Sequence, residues 1–204
     1  MTKGKLFVIS GPSGAGKGTI CKEILEMDRN LKLSVSMTTR DPREGEIDGT
    51  HYHFADHESF KALIAEDGFI EYANVYGNYY GTPKKKVTEW LEEGSNVILE
   101  IDVQGALQVK KSYPQGVFIF ILPPSIDELK KRILGRGSET EETMARRLGA
   151  ALKEISSIDE YDYRVINEDL TAAIESVQAI MLAEQCKIND EEVELIINRY
   201  KEEL

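Results

Sequence analysis

The feature that most constrains the fold is a glycine-rich turn between an apolar run and a helical pattern. The run 5–10 predicts a buried strand, the turn 11–19 contains four glycines, and the helical pattern continues to about residue 27. Glycines let consecutive backbone N–H groups point toward one spot, where the dipole of the following helix favours negative charge. Lys17 adds a full positive charge. The pattern therefore predicts an α/β fold that opens with a phosphate-binding loop.

All nine positions of this P-loop, or Walker A loop, are candidates for binding nucleotide phosphates. They are Gly11, Pro12, Ser13, Gly14, Ala15, Gly16, Lys17, Gly18 and Thr19. The usual pattern has Ser or Thr directly after the lysine, where its hydroxyl contacts Mg²⁺. Here Gly18 holds that position and the hydroxyl follows at Thr19. Since phosphates and water commonly bind most of a Mg²⁺ ion, we expect a required Mg²⁺ with few direct protein ligands.

Further apolar runs alternate with helical patterns along the chain. They lie at 96–102, at 117–122 and, more weakly, at 163–167. This alternation predicts a three-layer core, in which helices cover both faces of a parallel sheet. Two stretches, 36–80 and 130–148, break the alternation. Within the first, 50–54 and 69–75 alternate as exposed strands do, so we predict a strand at each. We interpret the chain as one domain with its core at 1–35, 81–129 and 149–204, an insertion at 36–80 and a second excursion at 130–148.

The composition of the chain limits which classes of partner it is expected to bind. Lys and Arg total 25 against 36 Asp and Glu, and the resulting net charge of −11 suits DNA phosphates poorly. No segment approaches the roughly 20 apolar residues that span a bilayer. Cys21 and Cys186 are far apart and have no metal-binding spacing. We predict a cytoplasmic protein that binds neither nucleic acid nor membrane, while monomer and homo-oligomer both stay open.

Two of only nine arginines lie three residues apart in the insertion. Arg40 and Arg43 flank Pro42, which stiffens the loop. Guanidinium groups suit phosphate oxygens, and Ser36 and Tyr52 can add hydroxyl donors. Alternatively, this is a surface loop whose arginines pair with its own acidic residues. The residues alone leave both interpretations open.

Two other charged features also have two interpretations. Asp102 ends a predicted strand, where a carboxylate can lie near Mg²⁺, but it can equally cap the next helix. Four arginines fall within sixteen residues, namely Arg132, Arg136, Arg146 and Arg147. A solvated helical hairpin with ion pairs between successive turns would also explain that cluster.

Together these segments resemble the guanylate kinase family from about residue 5 to the region of Asn167. The resemblance rests on 11–19, 36–52, 71–72, 78–82, 100–105 and 132–147. It implies a P-loop α/β fold with an inserted GMP-binding subdomain and a helical lid at 130–148. It also implies an enzyme of purine nucleotide metabolism that transfers a phosphoryl group from ATP to GMP, or dGMP, with Mg²⁺ as cofactor.

The same resemblance implies residue roles. The GMP phosphate would be held by Ser36, Arg40, Arg43, Tyr52 and Tyr80. Guanine would be recognised or positioned by Glu71, Thr82, Glu100 and Asp102, and Asp102 is also a candidate Mg²⁺ ligand. The transferred group would be stabilised by Lys17, Arg43, Arg132, Arg136 and Arg147.

Guanine chemistry fits the implied pair Glu71 and Thr82. A carboxylate can accept hydrogen bonds from N1–H and the 2-amino group, and a hydroxyl can donate to O6. Adenine lacks the 2-amino group and presents a lone pair at N1, so roughly thousandfold discrimination is expected. Thr82 before Pro83 is also an ordinary helix N-cap, and Glu71 could be an exposed strand carboxylate.

The expected nucleophile is a phosphate oxygen of GMP. It needs no general base, because the second pKa of such a phosphate is about 6. Two alternatives remain at this point: a kinase for another nucleoside monophosphate, such as AMP or UMP, and a guanylate-kinase-like scaffold that binds peptides and has lost catalysis. The presence of Lys17 and both arginine clusters argues against the scaffold.

Overall fold

The structure, a computed structural model, describes residues 3–75, 77–134, 141–188 and 190–203. The strands are β1 (Leu6–Ser10), β2 (Lys32–Leu33), β3 (Met37–Thr38), β4 (His53–Phe54), β5 (Phe69–Val75), β6 (Asn78–Pro83), β7 (Val97–Glu100), β8 (Val117–Leu122) and β9 (Tyr163–Ile166). The helices are α1 (Lys17–Met27), α2 (His57–Ala65), α3 (Lys84–Glu92), α4 (Val103–Ser112), α5 (Ile126–Leu134), α6 (Glu141–Ile155), α7 (Leu170–Gln185) and α8 (Asp190–Glu202), and a 3-10 turn at Ile158–Glu160 precedes β9.

A five-stranded parallel sheet in the order β2-β7-β1-β8-β9 forms the centre of the molecule. Its strand β1 pairs with β7 on one side and β8 on the other. The predicted parallel sheet and the four predicted strands in it are confirmed. The edge strand β2 was not predicted, because two residues are too short for a periodic signal.

Helices cover both faces of this sheet, which gives the predicted three layers. Alternate residues of β1 enter different cores, so Phe7 and Ile9 pack with α1 and α7 while Leu6 and Val8 pack with α3 and α4. All five residues of β1 are buried. Burying one large apolar side chain of this kind contributes roughly 1.5–3 kcal/mol, so this strand is firmly held where it enters the loop.

A second sheet, in the order β4-β3-β6-β5, lies beside the first. Its strands β3 and β4 are parallel, whereas β6 runs antiparallel to both β3 and β5. The side chain of Phe60 on α2 stacks on Phe69 and Tyr79, with ring centroids 4.3 and 5.3 Å apart. The strand β5 also contacts α4, so the second sheet packs against a helix that covers the central sheet.

The predicted strand at 69–75 is confirmed, and the one at 50–54 shortens to β4. The elements do not end at the predicted boundaries. The second sheet continues past residue 80 to Pro83, α5 runs across residue 130, and α6 runs across residue 148. The division into core, insertion and lid stays a proposal. Among the described residues, no helix combines the length and apolar character that crossing a bilayer requires.

Candidate active site

A cleft of about 480 Å³ lies at the carboxyl ends of the central strands. One wall is the phosphate loop, the floor continues from β7 through Glu100 to Asp102, and the opposite wall is the second sheet. Ligands of open parallel sheets generally bind at this edge. The cleft therefore joins the loop and the insertion, which are far apart in sequence, in one cavity.

At Gly16 the backbone of the phosphate loop adopts a conformation that favours glycine. Gly16 has φ 95°, in the left-handed region, directly before α1. A Cβ atom there would lie 2.2 Å from Nδ2 of Asn167. Any other residue at 16 would thus be strained and would collide with a buried side chain.

Lys17 folds back over the loop. Its Nζ donates to the carbonyl of Gly11 at 2.6 Å and to that of Pro12 at 3.3 Å. Burial lowers the pKa of Lys17, and the nearby Glu100 carboxylate opposes that shift. Burial likewise raises the pKa of Glu100, and Lys17 opposes it. The lysine is therefore already oriented, over the loop that would receive phosphates.

Gly18 interrupts the usual loop pattern, and its neighbour gives a physical reason. A Cβ atom at this position would lie 3.3 Å from Oε1 of Glu100, which is tighter than ordinary packing. Glycine leaves room for that carboxylate. The hydroxyl-bearing Thr19 follows one residue later and also lines the cleft.

The helix α6 contacts the loop at Ser13. Nη2 of Arg147 donates to the Ser13 hydroxyl at 3.0 Å. Glu154, which also lines the cleft, has a pKa that burial raises while Lys17 and the Ser13 N–H lower it. Glu154 was not among the predicted site residues. Its spacing of seven residues from Arg147 puts both on one helix face, and that signal could have indicated it.

Arg132 lies outside the cleft wall. Its Nε donates to Oε1 of Glu128 at 3.1 Å, and its Nη2 donates to the carbonyl of Asn167 at 3.0 Å. Arg146 is exposed on α6. Arg136 lies outside the described residues.

Glu71 lines the cleft, and Thr82 lies behind it. The Thr82 hydroxyl donates to Oε1 of Glu71 at 2.7 Å, and both residues are buried. Burial raises the pKa of Glu71 to about 7, the charge of Asp102 adds to this shift, and the Thr82 hydrogen bond opposes it. Interpreting Glu71 as an exposed strand carboxylate is therefore wrong. The N-cap interpretation of Thr82 is also wrong, because Pro83 precedes the first helical residue and the hydroxyl bonds to Glu71.

Asp102 lines the cleft and also caps α4. Its Oδ1 accepts the N–H of Gly105 at 2.7 Å. A Cβ atom on Gly105 would lie 2.7 Å from Oε2 of Glu71, so glycine here lets the helix start approach the buried carboxylate. The capping interpretation of Asp102 is confirmed, and the cap uses one of its two oxygens.

Of the residues predicted to hold a second phosphate, the hydroxyl-bearing ones line the cleft and the arginines do not. Ser36, Tyr52 and Tyr80 line the cleft, and the two tyrosine rings meet edge to face at 6.0 Å. Arg40 instead donates to both carboxylate oxygens of Glu46 at 2.9 Å.

The guanidinium of Arg40 also lies 5.5 Å from the ring centre of Tyr52. Arg43 is exposed, and its backbone N–H donates to Oε2 of Glu46 at 2.7 Å. Neither guanidinium lines the cleft. The alternative interpretation, in which loop arginines pair with loop carboxylates, describes Arg40 as it stands here.

The donor set fits a hydrated Mg²⁺. Carboxylates of Glu100, Asp102 and Glu154 reach the cleft, and oxygen ligands are those that Mg²⁺ prefers. Within the described ranges, no group of three His, Cys, Asp or Glu side chains could hold a metal ion.

Comparisons with known proteins agree with this geometry. A sequence model of the family described as guanylate kinase matches residues 3–184. A guanylate kinase of Clostridium acetobutylicum is 58% identical over 187 residues, which cover 92% of this chain and 89% of that protein. One from Clostridioides difficile is 51% identical over 202 residues, covering 99% of this chain and 98% of its own.

The fold comparison agrees with the sequence comparison. The crystal structure of guanylate kinase from Anaplasma phagocytophilum superposes with a TM-score of 0.76 at 36% identity, covering 91% of this chain and 88% of that one. The P-loop fold predicted from the sequence is thus confirmed. This chain belongs to the guanylate kinase family.

Proposed function

We propose that this protein transfers the γ-phosphoryl group of ATP to GMP, and also to dGMP, in a single in-line step that requires Mg²⁺. Membership in the family makes it a kinase that acts on GMP with ATP. The use of dGMP, the metal and the in-line geometry are our additions. The observation that supports in-line transfer is the cleft that the phosphate loop shares with Glu71 and Tyr80.

The donor half of the proposal uses the loop. ATP phosphates bind to backbone N–H groups of 11–19 and to Lys17, at the start of α1. Arg132 and Arg147 approach from α5 and α6, and both already contact the loop or the residue beside it. Arg136 joins them in the proposal because the resemblance to the family implies that role for it.

The acceptor half uses the opposite wall. The guanine base hydrogen-bonds to Glu71, which lines the cleft with Glu100 and Asp102. The Thr82 hydroxyl, which is buried and donates to Glu71 here, must turn from that carboxylate to reach the base. The GMP phosphate binds to Ser36, Tyr52 and Tyr80, and it attracts Arg40 and Arg43. For that contact Arg40 must exchange Glu46 for the phosphate.

The chemistry needs positioning and charge neutralisation more than proton transfer. A phosphate oxygen of GMP forms a bond to the γ-phosphorus of ATP, and the bond from that phosphorus to the β–γ bridging oxygen breaks, so GDP and ADP result. The attacking oxygen is already anionic near neutral pH. Lys17 and the arginines offset the repulsion between the two nucleotides. Bound Mg²⁺ would neutralise further phosphate charge, with Asp102 and Glu100 holding it directly or through water.

A panel of nucleoside monophosphates tests the acceptor assignment. With ATP and Mg²⁺ fixed, we expect kcat/KM for GMP to exceed that for AMP, UMP or CMP roughly a thousandfold, with dGMP close behind GMP. A higher kcat/KM for AMP or UMP than for GMP would overturn the assignment.

Calorimetry with ATP tests the scaffold alternative, which predicts no binding at the loop.

Two other features stay predictions. A cytoplasmic location rests on composition and on two free cysteines, of which Cys21 is buried and Cys186 is exposed. Whether the protein is a monomer or a homo-oligomer stays open.

A further inference from the structure

Asn167 is a buried polar residue directly after β9. Its Nδ2 donates to the carbonyl of Ala15 in the phosphate loop at 2.8 Å. Its backbone N–H donates to the carbonyl of Leu122 at 2.8 Å, and its own carbonyl accepts Nη2 of Arg132 at 3.0 Å. One residue therefore contacts the phosphate loop, the end of β8 and the arginine on α5.

The contact with Ala15 fixes the direction of a peptide group. In a trans peptide the carbonyl of one residue and the N–H of the next point to opposite sides of the chain. The carbonyl of Ala15 points toward Asn167, so the N–H of Gly16 points the other way. Gly16 and Lys17 line the cleft, whereas Asn167 does not.

The packing around this contact leaves little freedom. Ala15 is buried, and the left-handed turn at Gly16 brings its backbone against Nδ2 of Asn167. A buried carbonyl without a donor is costly, so the peptide would tend to turn if the amide were removed. Turning it would also turn away the N–H that faces the cleft.

Arg132 on α5 also contacts Asn167. Its guanidinium is held between Glu128 and the carbonyl of Asn167. This contact uses the backbone carbonyl, which any residue at 167 would supply, so only the bond to Ala15 depends on the amide side chain. Gly16 lies on the donor side of the cleft, whereas Glu71 lies on the other wall.

We propose that Asn167 is a positioning residue for the phosphoryl donor, whose side-chain amide fixes the Ala15–Gly16 peptide with its N–H toward the phosphates of ATP. This inference rests on the proposed function, since it requires ATP phosphates at the loop. Asn167 acts through Gly16, and the GMP side of the cleft does not depend on it.

Substitution tests this role. Asn167→Ala should weaken ADP and ATP binding, measured by calorimetry, about tenfold to a hundredfold and should raise KM for ATP in parallel, while KM for GMP stays within about twofold. Asn96→Ala is the matched control, because Asn96 also uses its side chain for a backbone hydrogen bond, accepting the N–H of Lys5 at 2.9 Å at the far end of the sheet. It should lower the melting temperature without changing nucleotide affinity.

Asn167→Asp separates positioning from general stability, because Asp keeps the shape of Asn. Its carboxylate cannot donate to Ala15, but its protonated carboxyl group can. We therefore expect the ADP affinity of Asn167→Asp to recover as the pH falls from 8 to 5. The affinity is divided by the wild-type value at each pH, which removes the titration of Glu100, Glu154 and the nucleotide.

Three results would overturn the inference: equal losses for ATP and GMP, a flat pH ratio for Asn167→Asp, or the same affinity loss in Asn96→Ala. A wild-type protein that neither binds ADP nor phosphorylates GMP would overturn the proposed function and this inference with it.

Discussion

The phosphate loop and the arginine loop at 40–46 would both bind phosphate, yet they are built differently. The phosphate loop is mainly backbone, fixed by a left-handed Gly16 and by Asn167, with Lys17 already bent over it. The arginine loop presents side chains, and Arg40 is paired with Glu46, with side-chain exposures of 15% and 18%.

This difference indicates where binding energy is used. A backbone site needs little reorganisation when an anion arrives, because its N–H groups are already held. A side-chain site that is paired with a carboxylate must first break that pair. On the proposed function, the donor side would therefore be preorganised, and the acceptor phosphate site would form by exchanging partners.

The largest expected effect comes from the preorganised side. Lys17→Ala should lower kcat roughly a thousandfold, since it removes a full charge from the transferring phosphates. The melting temperature should change little, and Lys22→Ala is the control, because that side chain is 72% exposed on the same helix. Near-normal turnover of Lys17→Ala in a steady-state assay would contradict the assignment of the loop.

Glu71→Gln probes the base site. We expect kcat/KM for GMP to fall about a hundredfold, because an amide offers a donor where guanine N1–H also donates. KM for ATP should stay within about threefold in the same steady-state series. Similar losses for both substrates would remove Glu71 from base recognition.

Glu71 should also make stability depend on pH. Its pKa is about 7 in the fold against an ordinary 4.5, so the fold favours the neutral form. This contribution is fully present below pH 4.5 and is lost as the pH rises through 7, in total roughly 1–3 kcal/mol. Urea unfolding of wild type and Glu71→Gln between pH 4.5 and 8 should show the wild type losing more; parallel curves would contradict the buried, neutral carboxyl group.

The smallest effects test the exchange of partners at Arg40. Arg40→Ala should raise KM for GMP about tenfold through the loss of a phosphate contact. Glu46→Gln should lower KM for GMP about twofold, because the amide competes less strongly for the guanidinium. If Glu46→Gln instead raises KM as much as Arg40→Ala does, Glu46 belongs to the binding site and is not a competitor.

Much of the donor side was predictable from sequence, because local patterns encode it. The strand, the glycine turn and Lys17 are adjacent in the chain, so their arrangement follows from the order of residues. The pairing of Glu71 with Thr82 depends on the register of β5 against β6, which no local pattern shows.

Asn167 and Glu154 escaped the sequence analysis for a related reason. Both lie more than 130 positions from the loop residues that they approach, and only the tertiary fold brings them there. The helical spacing from Arg147 could have put Glu154 on the same face, but not against the loop. The partner of Arg40 was equally undetermined, since three carboxylates lie within six residues of it.

The central claim is that donor and acceptor nucleotides occupy one continuous cleft. An adenosine and a guanosine joined through five phosphates would span both halves, so calorimetry with this compound tests the claim directly. We predict that it binds at least about a hundredfold more tightly than ATP or GMP alone, with one molecule per chain, and that Lys17→Ala and Glu71→Gln each abolish most of the gain. Affinity no better than that of ATP alone, or unchanged by Glu71→Gln, would contradict it.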